Sequence, residues 1–121
     1  MKRKRETGDS MIIFEPSEQS IAKDTVRFTA KDGTSTIGFC DLSLQNGFAD
    51  IVAVQLQTND LSIGEGLLRA AFHFAANRGY YMGRFLTADC NSVRSLLPFE
   101  LKDGVWCNDI PTLLSGTCGK N

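Results

Sequence analysis

Between Asp60 and Gly79 the chain reads DLSIGEGLLRAAFHFAANRG, with glycine at positions 64 and 66. Glycine in a helix interior costs about 0.8–1 kcal/mol relative to alanine, so two in one opening turn point to a group that comes close to the backbone. A helix N-terminus offers unpaired N–H groups and about half a positive charge, a ready site for an anion such as phosphate. The same letters spell a capping box. Ser62 would serve as N-cap, and Glu65 would fold back onto the amide of Ser62 and oppose a phosphate. Phosphate cradle and capped core helix are both open on these residues.

Other chemistry is sparse. His73 is the single histidine and falls on the polar side of that helix, so neither a zinc site nor a Ser-His-Asp triad is expected. Cys40, Cys90, Cys107 and Cys118 show no C-x-x-C spacing and read as reduced, mostly buried thiols of a cytoplasmic protein.

A chain of 121 residues makes one domain, and 42% apolar with 22% charged residues is the balance of a soluble globular protein. The net charge of -1 gives no global attraction to nucleic acid. The exception is KRKR at Lys2 to Arg5, read as a flexible basic tail over 1–10, with an address or nucleic-acid arm as the alternative. No apolar run is long enough to span a bilayer, and no signal-peptide core follows the basic start. A single domain is expected over 11–121.

The elements that must position the glycine helix follow from periodicity. Leu67, Leu68, Ala71, Phe72, Phe74 and Ala75 form an apolar stripe, and Glu65, Arg69, His73 and Asn77 a polar row, over a helix from Ile63 to Arg78. Gly79 ends it. Strands are expected at Met11 to Pro16, Asp24 to Ala30, Ser35 to Leu44 and Phe48 to Thr58. Lys31 to Gly33 and Gln45 to Gly47 supply the turns. In the last of these strands Ile51, Ala53 and Gln55 share one face, and Val52, Val54 and Leu56 the other. Tyr80 to Ala88 reads as a strand, Asn91 to Leu101 as a short helix bent or ended by Pro98, and Val105 to Ile110 as a last strand. The fold class is α/β (α+β): antiparallel N-terminal strands, then a right-handed βαβ unit, with helices packed on a mixed sheet. The glycine helix then starts at the carboxyl end of a strand, where such sheets bind ligands.

From about Thr36 to Val105 the chain resembles the GNAT superfamily of N-acetyltransferases. IGFCDL is similar to the family's "vGf" strand, and FADIVAVQL to the strand before its acetyl-CoA loop. SIGEGLLRAAFHFAANRGY is similar to its signature helix, and ADCNSVRSLLPFELKDGVW to the segment that carries an Asn, a Tyr and Gly-Phe. The resemblance implies acetyl-CoA as cosubstrate, with its pantetheine arm along the strand ending at Leu56. It places the pyrophosphate on Asn59, Leu61, Ser62, Ile63, Gly64, Glu65 and Gly66, and gives Asn91 a contact to the arm. Asp50 falls where a histone-acetyltransferase-like subset has its general base, and the acceptor is an amine on a small molecule or peptide. No metal is implied. The chain departs from the pattern at Asn59 (usually Gln or Arg), at Ser62 (usually Gly), at Asp60, which sets a negative charge beside the pyrophosphate, and at Phe99, near the family's tyrosine acid. Too few residues lie between Ile13 and Thr25 for the two helices that usually roof the acceptor site. The roof is then open, supplied by a second subunit in a homodimer, or absent. A catalytically inactive acyl-CoA-binding or protein-interaction module is the alternative.

Overall fold

The computed structural model describes residues 12–17, 24–88 and 90–115. The basic run, Cys118 and the 18–23 part of the expected N-terminal deficit lie outside them. The strands are β1 (Ile12–Pro16), β2 (Thr25–Asp32), β3 (Ser35–Gln45), β4 (Phe48–Leu56), β5 (Met82–Phe85), β6 (Glu100–Lys102) and β7 (Val105–Asp109). The helices are α1 (Leu61–Asn77), α2 (Asn91–Arg94) and α3 (Ile110–Ser115). One seven-stranded sheet runs in the order β1-β2-β3-β4-β5-β7-β6. Only β4 and β5 pair in parallel; every other neighbouring pair is antiparallel.

The turns follow from local chemistry. Asn46 and Gly47 both have positive φ, 56° and 82°, the backbone that joins β3 to β4 with the twist a two-residue hairpin needs. Asp103 and Gly104 repeat it at 52° and 80° between β6 and β7. The helix expected over Asn91 to Leu101 stops at Arg94, a turn follows over 95–98, and the second hairpin takes Glu100 and Leu101 as strand residues. Ile110, expected as the end of a strand, instead starts α3, where the Asp109 carboxylate takes the Thr112 amide at 2.9 Å.

The apolar stripe of α1 is the centre of the core. Leu67, Leu68, Ala71, Phe72 and Ala75 are fully buried, and Phe74 stands edge-on to Phe28 of β2 at 5.2 Å. Gly83 of β5 lets helix and sheet close: a Cβ there would lie 2.6 Å from the Phe72 ring and 2.9 Å from Leu113 of α3. The three described helices therefore share one face of the sheet.

A bulge in β4 changes the expected face assignment. Ile51 pairs with Leu42 and Ala53 with Asp41, so Val52 is an extra residue. Side chains alternate strictly along a strand, and one extra residue reverses the alternation beyond it. Ile51 therefore shares the core face with Val54 and Leu56 rather than with Ala53 and Gln55.

Candidate functional site

β4 and β5 stay paired only from Phe48/Met82 to Ile51/Phe85. The Leu86 amide makes a last bond to the Ile51 carbonyl at 2.8 Å. β4 then runs on to Leu56 while the other arm turns away through Leu86–Ala88. The strands part at the bulge, where Val52 follows the last bonded residue of β4. Cys90 spans the gap with its Sγ 3.4 Å from the Val54 carbonyl oxygen.

The start of α1 is built differently from the expected capping box. The helix begins at Leu61, two residues early, and Asp60 is the N-cap. One Asp60 oxygen accepts from the Ser62 amide at 3.0 Å and the Ser62 hydroxyl at 2.7 Å. These bonds, the hydroxyl first, hold the Asp60 carboxyl below its usual range. Glu65 does not reach back. It pairs with Arg69 one turn on at 2.9 Å, and Arg69 Nη1 donates to the Leu114 carbonyl at 2.6 Å, tying α1 to α3. Asp60 wins the cap because it lies at the end of the extended segment, where its backbone is in the β region (ψ 103°) that an N-cap requires.

Both glycines are accounted for by the protein itself. A Cβ on Gly66 would sit 2.2 Å from the Phe14 ring of β1, and one on Gly64 would sit 3.1 Å from Val93 of α2. The groups approaching the backbone are side chains of this chain. Ile63 is buried beside them; Asn59, Leu61 and Ser62 are exposed, Leu56 and Glu65 half-buried. The Asn59–Ser62 turn is thus open to an anion, but with the Asp60 carboxylate already on one of its amides.

Asp50 is not the surface carboxylate that a strand end suggests. It is 1% exposed, on the sheet face away from the helices. Arg84, its register partner on β5, donates from Nε at 2.7 Å and from Nη2 at 2.8 Å, one bond to each oxygen. The guanidinium lies flat on the Phe48 ring, 3.9 Å from its centre. Ser43, Asp50, Arg84 and Cys107 form one row in register across β3, β4, β5 and β7. A second clasp stands on the same face, where Arg27 grips Asp41 at 2.8 and 3.0 Å and stacks on Phe39. Among the described residues no helix covers this face.

Asn91 is exposed at the first turn of α2, but the N-cap is Cys90, which makes no side-chain capping bond. Phe99, where the family resemblance places a tyrosine acid, is a core residue between Phe72 and Phe85. Cys40 is inert: it is fully buried, and burial pushes its thiol well above the usual range. Among the described residues no cluster of three His, Cys, Asp or Glu side chains is arranged to hold a metal.

Sequence reasoning missed Arg84, Phe14 and Arg94. Arg84 carried a signal, being the one charge in a short apolar strand; the contact of Phe14 with Gly66 carried none, because it joins distant segments.

This arrangement, a seven-stranded mixed sheet whose one parallel pair parts ahead of a helix start, is the GNAT N-acetyltransferase fold. The PaiA N-acetyltransferase of Thermoplasma acidophilum, solved with coenzyme A, superposes with a TM-score of 0.59 at 22% identity, over 71% of this chain and 61% of that one. The ribosomal-protein-S18-alanine N-acetyltransferase of Escherichia coli gives 0.61 at 13% identity, over 74% and 71%. The IAA acetyltransferase of Bacillus cereus gives 0.58 at 18%, over 82% and 95%. No family model matches the chain, and no curated protein matches it either.

Proposed function

We propose that this chain is an N-acetyltransferase that takes its acetyl group from acetyl-CoA and delivers it to an amine on a small molecule or peptide. The observation that carries the reading is the parting of β4 from β5 beyond Ile51 and Leu86, which leaves the rest of β4 beside a gap suited to an extended acyl-pantetheine arm. Residues from Val54 to Leu56, with Asn91 opposite, would hold that arm. Bound acetyl-CoA supplies the activated acetyl thioester. The phosphates fit less well. The turn at Asn59, Leu61 and Ser62 would hold them only with the Asp60 carboxylate turned aside, because two negative groups compete for the same amides.

In this reading Asp50 takes the proton of the amine, and it can do so only when Arg84 releases one of its oxygens. The sheet face that no described helix covers leaves room for a peptide or protein acceptor, or for a second copy of the chain to complete the site. The enzyme would act in the cytoplasm, as the single domain expected over 11–121.

A second reading has its own support. Clasped Asp50, Asp60 at the helix start and glycines filled by Phe14 and Val93 suit an acyl-CoA-binding or protein-interaction module without turnover.

Titration calorimetry with acetyl-CoA and with free coenzyme A, followed by thiol release in the presence of amines and peptides, tests both. Micromolar binding with thiol release supports the transferase. Binding without release supports the acyl-CoA-binding module, and no binding at millimolar ligand ends the transferase reading and leaves only the protein-interaction module.

A further inference from the structure

We propose that Arg94 and Trp106 form a recognition site for a small organic carboxylate, in a cleft that shares Asn91 and the Leu86–Ala88 arm with the gap between β4 and β5. The cleft, of ≈ 340 Å³, lies between the arm that leaves β5, the helix α2 and the β6–β7 hairpin. Its walls include Leu86, Thr87, Asn91, Arg94, Gly104 and Trp106.

The argument comes from three arginines of the same chain. Arg27 lies 3.8 Å over Phe39 and clasps Asp41 through Nε and Nη2. Arg84 lies 3.9 Å over Phe48 and clasps Asp50 through the same two nitrogens. Arg94 lies 3.7 Å over Trp106, so the aromatic half of the arrangement is present a third time. The carboxylate half is missing. Arg94 Nε is the one buried side-chain nitrogen or oxygen among the described residues that makes no hydrogen bond. Arg78 also stacks on a ring, but it is exposed to solvent at a helix end, so it carries no buried unpaired nitrogen.

A half-buried guanidinium with an empty Nε edge is costly, since buried polar groups are normally paired. The planar fork matches a carboxylate by two parallel N–H···O bonds and suits a tetrahedral phosphate as a less demanding partner. Phe85, Leu86, Val105 and the indole give the cleft apolar walls for the body of the ligand. The volume suits a molecule of amino-acid size. A planar carboxylate on a short apolar body meets all of these features.

Trp106 is the only tryptophan in the chain, so its fluorescence reports the cleft alone. The full chain is titrated with benzoate and propionate, with the neutral isostere benzamide, and with inorganic phosphate. A saturable change with the carboxylates is expected, with benzamide and phosphate weaker by about tenfold or more. Arg94→Ala should abolish the change and Arg94→Lys should keep part of it. Absence of saturation in the unaltered chain overturns the proposal, as does equal binding of benzamide. Phosphate bound as tightly as the carboxylates would overturn the choice of ligand. The measurement uses neither acetyl-CoA nor turnover, so the site stands or falls independently of the transferase reading.

Discussion

Asp50 of β4 and Arg84 of β5 face each other in parallel register and are joined by two hydrogen bonds of 2.7 and 2.8 Å, with the carboxylate beneath the guanidinium. Asp50 is 2% and Arg84 28% exposed at the side chain, so the pair is open on one side only. Removing the cation leaves a buried carboxylate without a partner. Arg84→Ala should destabilise the fold by about 3 kcal/mol or more, measured by urea unfolding, and Arg84→Lys by less, because a lysine keeps the charge although it loses the planar fork that fills both oxygens. If Asp50 is the proton acceptor, Asp50→Asn should lower thiol release by roughly 100-fold with little change in coenzyme affinity. An unchanged rate would leave the clasp as a sheet fastener only.

The contact of Phe14 with Gly66 separates packing from binding. Gly66→Ala places a methyl against the ring and should cost about 1–3 kcal/mol. Gly64→Ala should cost less, because its Cβ meets Val93 at 3.1 Å, where a small shift suffices. Pairing Gly66→Ala with Phe14→Leu should recover part of the loss in a double-mutant cycle. Additive losses would show that ring and glycine do not meet.

If the start of α1 holds the coenzyme phosphates, the Asp60 carboxylate opposes them. Asp60→Asn keeps an acceptor for the Ser62 amide and removes the charge. Coenzyme A should bind a few-fold tighter to this variant at low salt, with the gain shrinking as salt rises. Equal affinity, read by calorimetry, would place the phosphates elsewhere.

Acid should loosen two helices at their first turns. Asp60 on α1 and Asp109 on α3 both have carboxyl groups held low, by bonds from Ser62 and from Thr112. A carboxylate lowered in the folded state contributes stability fully above its unfolded value, near 3.9, and loses it as pH falls through the folded value. Melting temperature should therefore fall below about pH 4, and less steeply in the Asp60→Asn, Asp109→Asn double variant. Parallel curves for variant and parent would exclude these caps as the acid-sensitive groups.

The elements that lie within one stretch of chain were legible in the sequence. The stripe from Leu67 to Ala75, the Asn46-Gly47 turn and the stop at Gly79 each depend on neighbours a few residues away. The Asp103-Gly104 turn was equally visible, yet a helical reading ran up to it. At the helix start Ser62 read as the cap, and its spacing to Glu65 gave no sign that the Asp60 carboxylate two residues earlier takes the Ser62 amide. The bulge at Val52 left no mark, because an apolar run reads the same with or without an extra residue. The site was least legible. Asp50 was visible, but its partner sits 34 positions on, and the side chains that fill the glycine turn come from β1 and α2.

Among the described residues the sheet ends at β1 on one side and at β6 on the other. An edge strand offers unpaired backbone to any extended chain that passes, and a long apolar one invites fibres. β6 has three residues, and its one exposed leucine, Leu101, stands between Glu100 and Lys102. Too short to template a new strand and charged on both sides of its apolar residue, it keeps the sheet from growing into an aggregate from that margin.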